Sequence, residues 1–366
     1  MFSDIVILAG GFGERLWPAS KADFPKQFMT LDGGISFLQN AIIRSLYLNP
    51  KGKIILATRD GLQDLIAKQC NELLPKLSKK DADKLQKDLV IFAEPVSKHT
   101  TAPIVASCYL AKKIDNTYSH SFLILTSDHI ISPKEKFLED VEKAYLSASK
   151  NHFVTFGIPP YSPLTGYGYI LTGKEEENNK SVYKILEFKE KPDEETAQKY
   201  IDNGNCKWNS GMFGFSCDFF LSELEKCTPE VFNSFKNLDE MQNLEIEKIQ
   251  NINNIKSNSL INDAYNKTPS IAIDKSVAEK TANAYVVSAT FEWDDVGSWD
   301  SFEKNCKDKT TNAALIQSKN CFVYSDIPVA ICGVDDITVV IKNNKALIMK
   351  KGDSSLVREA AKHFSE

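Results

Sequence analysis

Short apolar runs alternate with amphipathic segments in the first part of the chain, and this alternation limits the folds that the chain can adopt. Ser36 stands where an N-cap would begin the first amphipathic segment. Strands that alternate with helices favour a sheet with right-handed crossovers and helices on its faces. We therefore predict an α/β fold with a Rossmann-like mixed, mostly parallel sheet. The predicted strands are residues 5–8, 53–58, 89–93, 122–125 and 153–157, and the predicted helices are residues 36–48, 61–74, 101–113 and 134–149.

The later part of the chain has a different pattern. Residues 158–215 contain strand-like runs between Gly and Pro turns and predict an antiparallel extension over the crevice at the strand ends. Residues 216–290 are predicted to be mostly helical, with Asn-rich loops and helix ends at 242–262. The close strand-like runs after residue 310 predict a small β-rich unit, stacked like a β-helix. We therefore expect a catalytic domain at residues 1–302 and a C-terminal domain at residues 303–366.

Composition excludes several classes of function. The chain has 366 residues, of which 42% are hydrophobic and 25% charged, as in an ordinary globular protein. Its net charge of −5 argues against a nucleic-acid partner, so a polyanionic substrate would need local Arg and Lys side chains and a metal ion. Because Met1 to Asp4 lead directly into a strand, and since no apolar run is long enough for a bilayer, we expect a cytoplasmic protein without a membrane partner.

The segment from Leu8 to Pro18, LAGGFGERLWP, is the strongest candidate for phosphate binding. Its glycines let backbone N–H groups approach a phosphate, and Arg15 and Lys26 add positive charge nearby. The segment lacks the GK[ST] of a P-loop and the third glycine of the dinucleotide fingerprint. The alternative is an ordinary glycine-rich turn after a strand.

Candidate polar residues follow other predicted strands. Glu94 and Asp128 both stand at strand ends, where sites in α/β sheets form, so we expect them to converge with the glycine-rich segment. Asp128 and Asp295 offer carboxylates of the kind that a divalent cation bound to a nucleotide takes. Glu190-Lys191 and Asn209 suit a sugar phosphate, because they combine hydroxyl-binding groups with a cation. The alternatives are caps, charged turns and a buried β-bulge.

The ordered motifs match a known family. From about residue 5 to about 302, LAGGxGxRLWP, PKQ, the Asp-His pair, TFGI, GYGYI, EKP, WNSGMF and DVGSW stand in the family's order. With these motifs the chain resembles the sugar-nucleotidyltransferases, most closely the mannose-1-phosphate guanylyltransferase part of the bacterial bifunctional enzymes. We expect a form without the isomerase domain of those enzymes.

The resemblance implies a role for each matching position. Arg15, Lys26 and Asp128 would be catalytic, and Asp128 and Asp295 would hold Mg²⁺. The implied nucleotide-binding residues are Leu8, Ala9, Gly10, Gly11, Gly13, Glu94, Thr100 and Ser127. The implied sugar-phosphate-binding residues are Gly168, Glu190, Lys191, Asn209 and Asp274.

The activity implied by the resemblance is transfer of GMP from GTP to mannose 1-phosphate, giving GDP-mannose and pyrophosphate without a covalent enzyme intermediate. The alternatives are another pair of nucleotide and hexose 1-phosphate, or a non-catalytic regulatory paralogue that binds nucleotide sugars. A homodimer is expected from the resemblance alone. The chain departs from the family at Lys98-His99, Ala272 and Lys275, which bear on base and sugar selectivity.

Overall fold

A computed structural model describes residues 1–11, 13–31, 34–310 and 312–364. Contacts group the chain into two compact units. The first consists of Met1–Gly10, Ala41–Thr126 and Ile131–Trp293, and the second of Gly11–Asn40, Ser127–Ile130 and Asp294–Glu366. The predicted division between residues 302 and 303 stays a prediction, because units grouped by contacts need not be segments that fold alone.

Among the described residues, helices and strands alternate in the first part of the chain, and five strands follow one another near its C-terminal end. The α-helices are α1 Phe37–Leu48, α2 Gln63–Leu73, α3 Lys79–Asp88, α4 Thr101–Ile114, α5 Lys134–Ala148, α6 Glu194–Asp202, α7 Cys217–Cys227, α8 Pro229–Phe235, α9 Ser259–Lys267, α10 Trp299–Asn305 and α11 Val357–Lys362. Short 3₁₀ helices cover Glu14–Leu16, Lys26–Phe28, Leu74–Lys76, Lys236–Glu240 and Ser354–Leu356, and a π-helix covers Asp274–Ala278. The strands are β1 Asp4–Leu8, β2 Ile54–Arg59, β3 Leu89–Glu94, β4 Ser121–Thr126, β5 Ile130–Ser132, β6 Phe153–Ile158, β7 Tyr169–Glu175, β8 Val182–Lys189, β9 Cys206–Ser216, β10 Ile246–Ile249, β11 Ile252–Ile255, β12 Ala284–Ser288, β13 Glu292–Asp294, β14 Ala313–Ile316, β15 Phe322–Ser325, β16 Val329–Cys332, β17 Ile337–Lys342 and β18 Lys345–Lys350.

An eleven-stranded mixed sheet runs through the first unit in the order β10-β11-β3-β2-β1-β4-β9-β6-β12-β8-β7. Strands β11, β3, β2, β1 and β4 are parallel to their neighbours in that series. This confirms the predicted mixed α/β fold, and it places the parallel pairs mainly at one side of the sheet. The ends of β1 and β3 therefore bring Leu8 and Glu94 to the same edge.

Strand β9 differs from the prediction. Residues 208–215 were expected to form a strand of an antiparallel extension over the crevice, but β9 runs antiparallel within the sheet, between β4 and β6. Its large side chains Trp208, Phe213 and Phe215 are buried, which is typical of a strand covered on both faces. The prediction of loops at residues 242–262 was also incomplete, because β10 and β11 form a hairpin there that pairs with β3.

The core of the first unit packs α4 against the sheet. Every residue of α4 from Thr101 to Ala111 is buried, and the same apolar cluster includes Val6, Phe92 and Phe122 from three strands. Burial of such side chains is the main favourable contribution to folding. The strands that end at the carboxyl edge of the sheet are thereby packed firmly in this core.

The second unit has its own apolar core, to which distant parts of the chain contribute. Leu16 and Phe37 pack in one cluster with Trp299, Phe302 and Phe322. The predicted cap at Ser36 is present as a capping box: Ser36 Oγ accepts from the Gln39 N–H at 3.1 Å, and the Gln39 side chain accepts from the Ser36 N–H at 3.0 Å.

The C-terminal strands of this unit form parallel pairs, β14 with β16 and β15 with β17, as stacked coils would. The side chains of Asn320 and Asp336, 16 residues apart, hydrogen bond at 2.7 Å from one coil to the next. The predicted β-rich C-terminal strands are thus present. Of the helices that the structure describes, none is long and apolar enough to cross a membrane.

A buried ionic cluster lies at the amino end of β1. Asp4 Oδ2 lies 2.7 Å from His120 Nδ1, and His120 Nε2 lies 2.7 Å from the Asp115 carbonyl oxygen. Both ring nitrogens face acceptors, which favours the doubly protonated imidazolium. Burial alone would lower the pKa of His120, but the hydrogen bond and charge of Asp4 and the Asp115 carbonyl raise it above its ordinary value.

This cluster predicts how stability depends on pH. A raised pKa in the folded state means that the contribution of His120 is complete below its unfolded pKa of about 6.5 and is lost as pH rises through the folded value. We expect the urea midpoint of the wild type, relative to that of His120→Gln, to fall as pH rises above neutrality.

His152→Gln is the matched control. Burial lowers the pKa of His152, so its contribution is lost as pH falls, the opposite direction. Parallel pH profiles for the wild type and His120→Gln would contradict the assignment of a charged His120.

Candidate functional site

The structure distributes the predicted site residues between the two units, and the boundary falls between Gly10 and Gly11 within the glycine-rich segment. The first unit holds Leu8, Ala9, Gly10, Glu94, Thr100, Gly168, Glu190, Lys191, Asn209 and Asp274. The second unit holds Gly11, Gly13, Arg15, Lys26, Ser127, Asp128 and Asp295.

The backbone after β1 is held against β2. The Ala9 N–H donates to the Ala57 carbonyl at 2.7 Å, and Thr58 Oγ1 donates to the Ala9 carbonyl at 3.1 Å. A Cβ atom on Gly10 would lie 3.4 Å from Glu94 Oε1, so the Gly10 backbone is close to that carboxyl. Three predicted residues, Ala9, Gly10 and Glu94, are therefore together at the carboxyl edge of the sheet.

The Glu94 carboxyl has an unusual environment. Only 5% of the residue is exposed, and burial raises its pKa to about 8 despite the neighbouring Tyr265 hydroxyl, which lowers it. Among the described residues, no group hydrogen bonds to the buried Glu94 Oε2. A buried acceptor of this kind is costly unless a donor satisfies it, either a ligand or the neighbouring Tyr265 hydroxyl.

Thr100 connects this region to the loop before the π-helix. Its hydroxyl accepts from the Ile273 N–H at 2.9 Å, directly before Asp274. The departure at Lys98 also has a structural consequence, since Lys98 Nζ donates to the Thr268 carbonyl at 2.9 Å. The structure thus places the hydroxyl of Thr100 on the backbone of the Asp274 loop.

Asn209 is the centre of a polar group in the first unit. Its Nδ2 donates to Asp274 Oδ1 at 2.9 Å, and its Oδ1 accepts from Thr155 Oγ1 at 2.8 Å. The Asn209 N–H donates to the Gly168 carbonyl at 2.8 Å. Asn209, Asp274 and Gly168 are thereby brought together, although they are distant in the sequence.

Two carboxyl groups, those of Asp274 and Glu190, lie close to Asn209 and Gly168. Burial, and after it the charge of Glu190, raises the pKa of Asp274 to about 6. A Cβ atom on Gly168 would lie only 2.6 Å from Glu190 Oε2, so the carboxylate approaches the backbone where a larger residue would not fit. Lys191 Nζ pairs with Glu190 Oε1 at 2.8 Å and is largely exposed. The set offers acceptors for hydroxyl groups beside one exposed cation.

In the second unit, Lys26 connects two of the predicted aspartates. Its Nζ donates to Asp128 Oδ2 at 3.0 Å and also to the backbone carbonyl of Asp295. The side chain is almost fully buried and lies over the Phe37 ring, with Nζ 5.4 Å from the ring centroid. One ammonium thus fixes the relative position of two acidic residues that are far apart in the chain.

Asp128 is held in its charged form. Burial alone would raise its pKa, but Lys26, His129 and Arg15 together bring the pKa below its ordinary value. His129 Nε2 lies 3.7 Å from Asp128 Oδ1. Asp128 is therefore an ionised carboxylate beside cationic side chains, and it remains partly accessible to solvent.

Two glycines permit close approaches in this unit. Gly13 has a φ of +71°, and a Cβ atom there would lie 2.6 Å from the Lys26 backbone nitrogen. A Cβ atom on Gly297 would lie 2.9 Å from Arg15 Nη1 and 2.8 Å from Asp295 Oδ2. Arg15, Lys26, Asp128 and Asp295 therefore form one charged group, the Lys26 cluster.

The remaining predicted residues of this unit are placed with fewer contacts. Ser127, which precedes Asp128, is buried, and a Cβ atom on Gly11 would meet open space.

Thr155 and Tyr265 contact predicted site residues but were not predicted from the sequence. Thr155 stands in the TFGI motif, which was a usable signal, whereas no motif marks Tyr265.

The donor set of the Lys26 cluster fits a hard divalent cation shared with a substrate. Among the described residues there is no group of three or more His, Cys, Asp or Glu side chains that could hold a metal ion. Asp128 and Asp295 are two carboxylates, which is the number that Mg²⁺ takes from a protein when phosphate oxygens and waters complete its shell.

Comparisons with known proteins agree with one another. The family model described as nucleotidyl transferase matches residues 4–312. A mannose-1-phosphate guanylyltransferase of Klebsiella pneumoniae is 33% identical over 99% of this chain and 74% of its own length. One of Salmonella montevideo is 35% identical over 94% of this chain and 70% of its own length.

A solved structure is similar over the whole chain. It is titled mannose-1-phosphate geranyltransferase and comes from Thermus thermophilus, and it superposes with a TM-score of 0.80 at 27% identity, covering 100% of this chain and 99% of that one. The chain belongs to the nucleotidyl transferase family, in its mannose-1-phosphate guanylyltransferase branch.

Proposed function

We propose that this protein transfers GMP from GTP to mannose 1-phosphate and so produces GDP-mannose and pyrophosphate. Membership of the family supports transfer of a nucleotidyl group to a sugar phosphate. The names of the relatives support guanine as the base and mannose as the sugar. The Lys26 cluster is the observation that carries the chemical part of the proposal.

The reaction needs positioned charge more than it needs a protein nucleophile. A phosphate oxygen of mannose 1-phosphate forms a bond to the α-phosphorus of GTP, while the bond to the bridging oxygen breaks and pyrophosphate leaves with the electron pair. The attacking oxygen is already an anion, so the enzyme need not remove a proton. Lys26 and Arg15 would offset the negative charge that accumulates around the α-phosphate.

Asp128 and Asp295 would hold Mg²⁺, which when bound supplies further neutralisation of phosphate charge. The lowered pKa of Asp128 keeps its carboxylate ionised and ready to accept a cation at neutral pH. Lys26 keeps that carboxylate in place, because it donates to Asp128 Oδ2.

Sugar recognition is assigned to the polar side chains around Asn209, namely Asp274, Glu190 and Lys191. Asn209 is oriented by Thr155, and the Asp274 and Glu190 carboxylates supply acceptors for sugar hydroxyls. The exposed ammonium of Lys191 would bind the phosphate of the sugar.

Base recognition is assigned to Glu94. Its buried Oε2 needs a donor. The edge of guanine offers two adjacent donors, N1–H and the 2-amino group. Adenine has neither of these two donors. Binding such donors stabilises the carboxylate form, so the raised pKa of Glu94 would fall when GTP binds.

The direct test is pyrophosphate release with Mg²⁺, offering GTP, ATP, UTP and dTTP against mannose 1-phosphate and glucose 1-phosphate. We expect release mainly with GTP and mannose 1-phosphate. Release with a different pair would overturn the substrate assignment, and no release with any pair from folded protein would favour a regulatory paralogue.

We expect Lys26→Gln to lower kcat by about 100-fold or more, as loss of an electrostatic stabiliser does. Lys21→Gln is the matched control, since Lys21 is exposed and pairs only locally with Asp23. Steady-state rates of pyrophosphate release measure both. If Lys26→Gln keeps more than roughly a tenth of wild-type kcat, Lys26 does not have this role.

Glu94→Gln is expected to remove the preference for the 2-amino group of the base. The wild type should use GTP with a higher kcat/KM than ITP, which lacks that group, by a factor of roughly 10 or more. In Glu94→Gln the ratio should approach one, because the amide cannot accept from both donors. An unchanged GTP to ITP ratio would show that Glu94 does not contact the base.

Asp274 predicts a pH dependence of sugar binding. With its pKa at about 6, the carboxylate accepts hydroxyl protons above that pH and loses this capacity below it. We expect Asp274→Asn to raise the KM for mannose 1-phosphate at pH 8, and the two KM values to converge towards pH 5. The substrate phosphate also titrates near pH 6, but it does so equally in both enzymes. A constant ratio of KM values would refute the role of Asp274.

A further inference from the structure

The peptide group between Asp295 and Val296 is held from both sides. Its N–H donates to Asp294 Oδ1 at 2.7 Å, and its carbonyl accepts from Lys26 Nζ. Lys26 Nζ in turn donates to Asp128 Oδ2 at 3.0 Å. A continuous series of hydrogen bonds therefore runs from Asp294 through one peptide group and Lys26 to Asp128.

The backbone at this peptide is strained. Val296 has a φ of +44° and is fully buried. A β-branched residue rarely adopts the left-handed region, and such a conformation persists only when its surroundings hold it. Something must therefore hold the loop that carries Asp295, and the bond from the Val296 N–H to Asp294 does so directly.

Asp294 is itself fixed by α10. Ser301 Oγ donates to Asp294 Oδ1 at 2.5 Å, and Asn305 Nδ2 donates to Asp294 Oδ2 at 3.0 Å. The helix begins at a capped residue, because Ser298 Oγ accepts from the Ser301 N–H at 3.2 Å. The Asp294 carboxylate is thus held by α10 and in turn holds the peptide group between Asp295 and Val296.

We propose that Asp294 is a positioning residue for nucleotidyl transfer, which orients the peptide between residues 295 and 296 and through it the Lys26 ammonium and the Asp295 carboxylate. This inference rests on the proposed function. It separates the roles of two adjacent aspartates: Asp295 acts on the substrate side, whereas Asp294 is engaged by the protein groups named above.

Loss of the carboxylate has a defined consequence. Without Asp294 the Val296 N–H loses its acceptor, and the loop can relax from the left-handed conformation. The Asp295 carbonyl then turns away from Lys26, which changes the position of the ammonium relative to the α-phosphate. Misplacement of a catalytic group by about 1 Å can cost about 100-fold in rate.

The first test compares Asp294→Ala with Asp294→Asn. We expect Asp294→Ala to lower kcat by roughly 10- to 100-fold while both KM values stay within about threefold. Asp294→Asn should recover most of the rate, because its amide oxygen still accepts from the Val296 N–H and Ser301 Oγ, and only the bond from Asn305 Nδ2 to Oδ2 is lost. Near-normal kcat in Asp294→Ala, or equal damage in both variants, would overturn the proposal.

The second test uses the strain. Gly adopts a positive φ without cost, so in a Val296→Gly background the loop needs less support. The factor by which Asp294→Ala lowers kcat should therefore shrink by about threefold or more when residue 296 is Gly. An equal factor in both backgrounds would mean that Asp294 does not act through this peptide. Ser301→Ala, which removes one donor to Asp294, gives a milder version if Asp294→Ala does not fold.

The third readout does not depend on turnover. Mn²⁺ binding can be followed by electron paramagnetic resonance with GTP present and sugar phosphate absent. We expect weaker Mn²⁺ binding in Asp294→Ala, normal binding in Asp294→Asn and the greatest loss in Asp295→Asn. If Asp295→Asn binds Mn²⁺ normally, the proposed metal role itself fails. If Asp295→Asn loses binding and Asp294→Ala does not, the positioning role of Asp294 fails alone.

Discussion

The hydrogen bonds of the Lys26 ammonium hold together the charged residues of the second unit. It is buried, and two acidic residues from distant segments, Asp128 and Asp295, both reach it. A buried ammonium is costly unless it is paired and hydrogen bonded, so the sequence segments that carry its partners must come together when the unit folds. Glycines allow the close packing around this group: Gly13 makes room for the backbone of Lys26, and Gly297 makes room for the Arg15 guanidinium.

The first unit has a different physical character. Two of its acidic site residues, Glu94 and Asp274, have raised pKa values because burial disfavours their charge. Glu94 and Asp274 are therefore groups whose protonation a ligand can change, whereas Asp128 is kept ionised by neighbouring cations. A hydrogen-bond donor that binds to a buried carboxyl favours its ionised form, whereas a carboxylate that is already ionised suits a cation. The two units thus place acidic side chains in different electrostatic environments.

Much of the fold could be predicted from local patterns, since strand and helix periodicities and the Ser36 capping box are properties of neighbouring residues. The position of β9 could not be predicted in this way. Its place between β4 and β6 depends on which distant strands pair with its two edges. In the site, the resemblance implied Lys26 and Asp128 as catalytic residues and Asp128 and Asp295 as metal ligands, and the structure brings these three residues together. Tyr265 carries no motif, and its proximity to Glu94 is created only by the tertiary structure.

The second unit draws on residues near both ends of the chain, and this has a consequence for synthesis. Leu16 and Phe37 are synthesised early, but Trp299 and Phe322, with which they pack, are synthesised much later. At usual elongation rates the interval is on the order of tens of seconds. During that time the early segment lacks these late apolar partners of its own unit, so a nascent chain that stalls before α10 presents that segment to chaperones and proteases. The charged cluster can therefore assemble only after the segment that carries Asp295 has been synthesised.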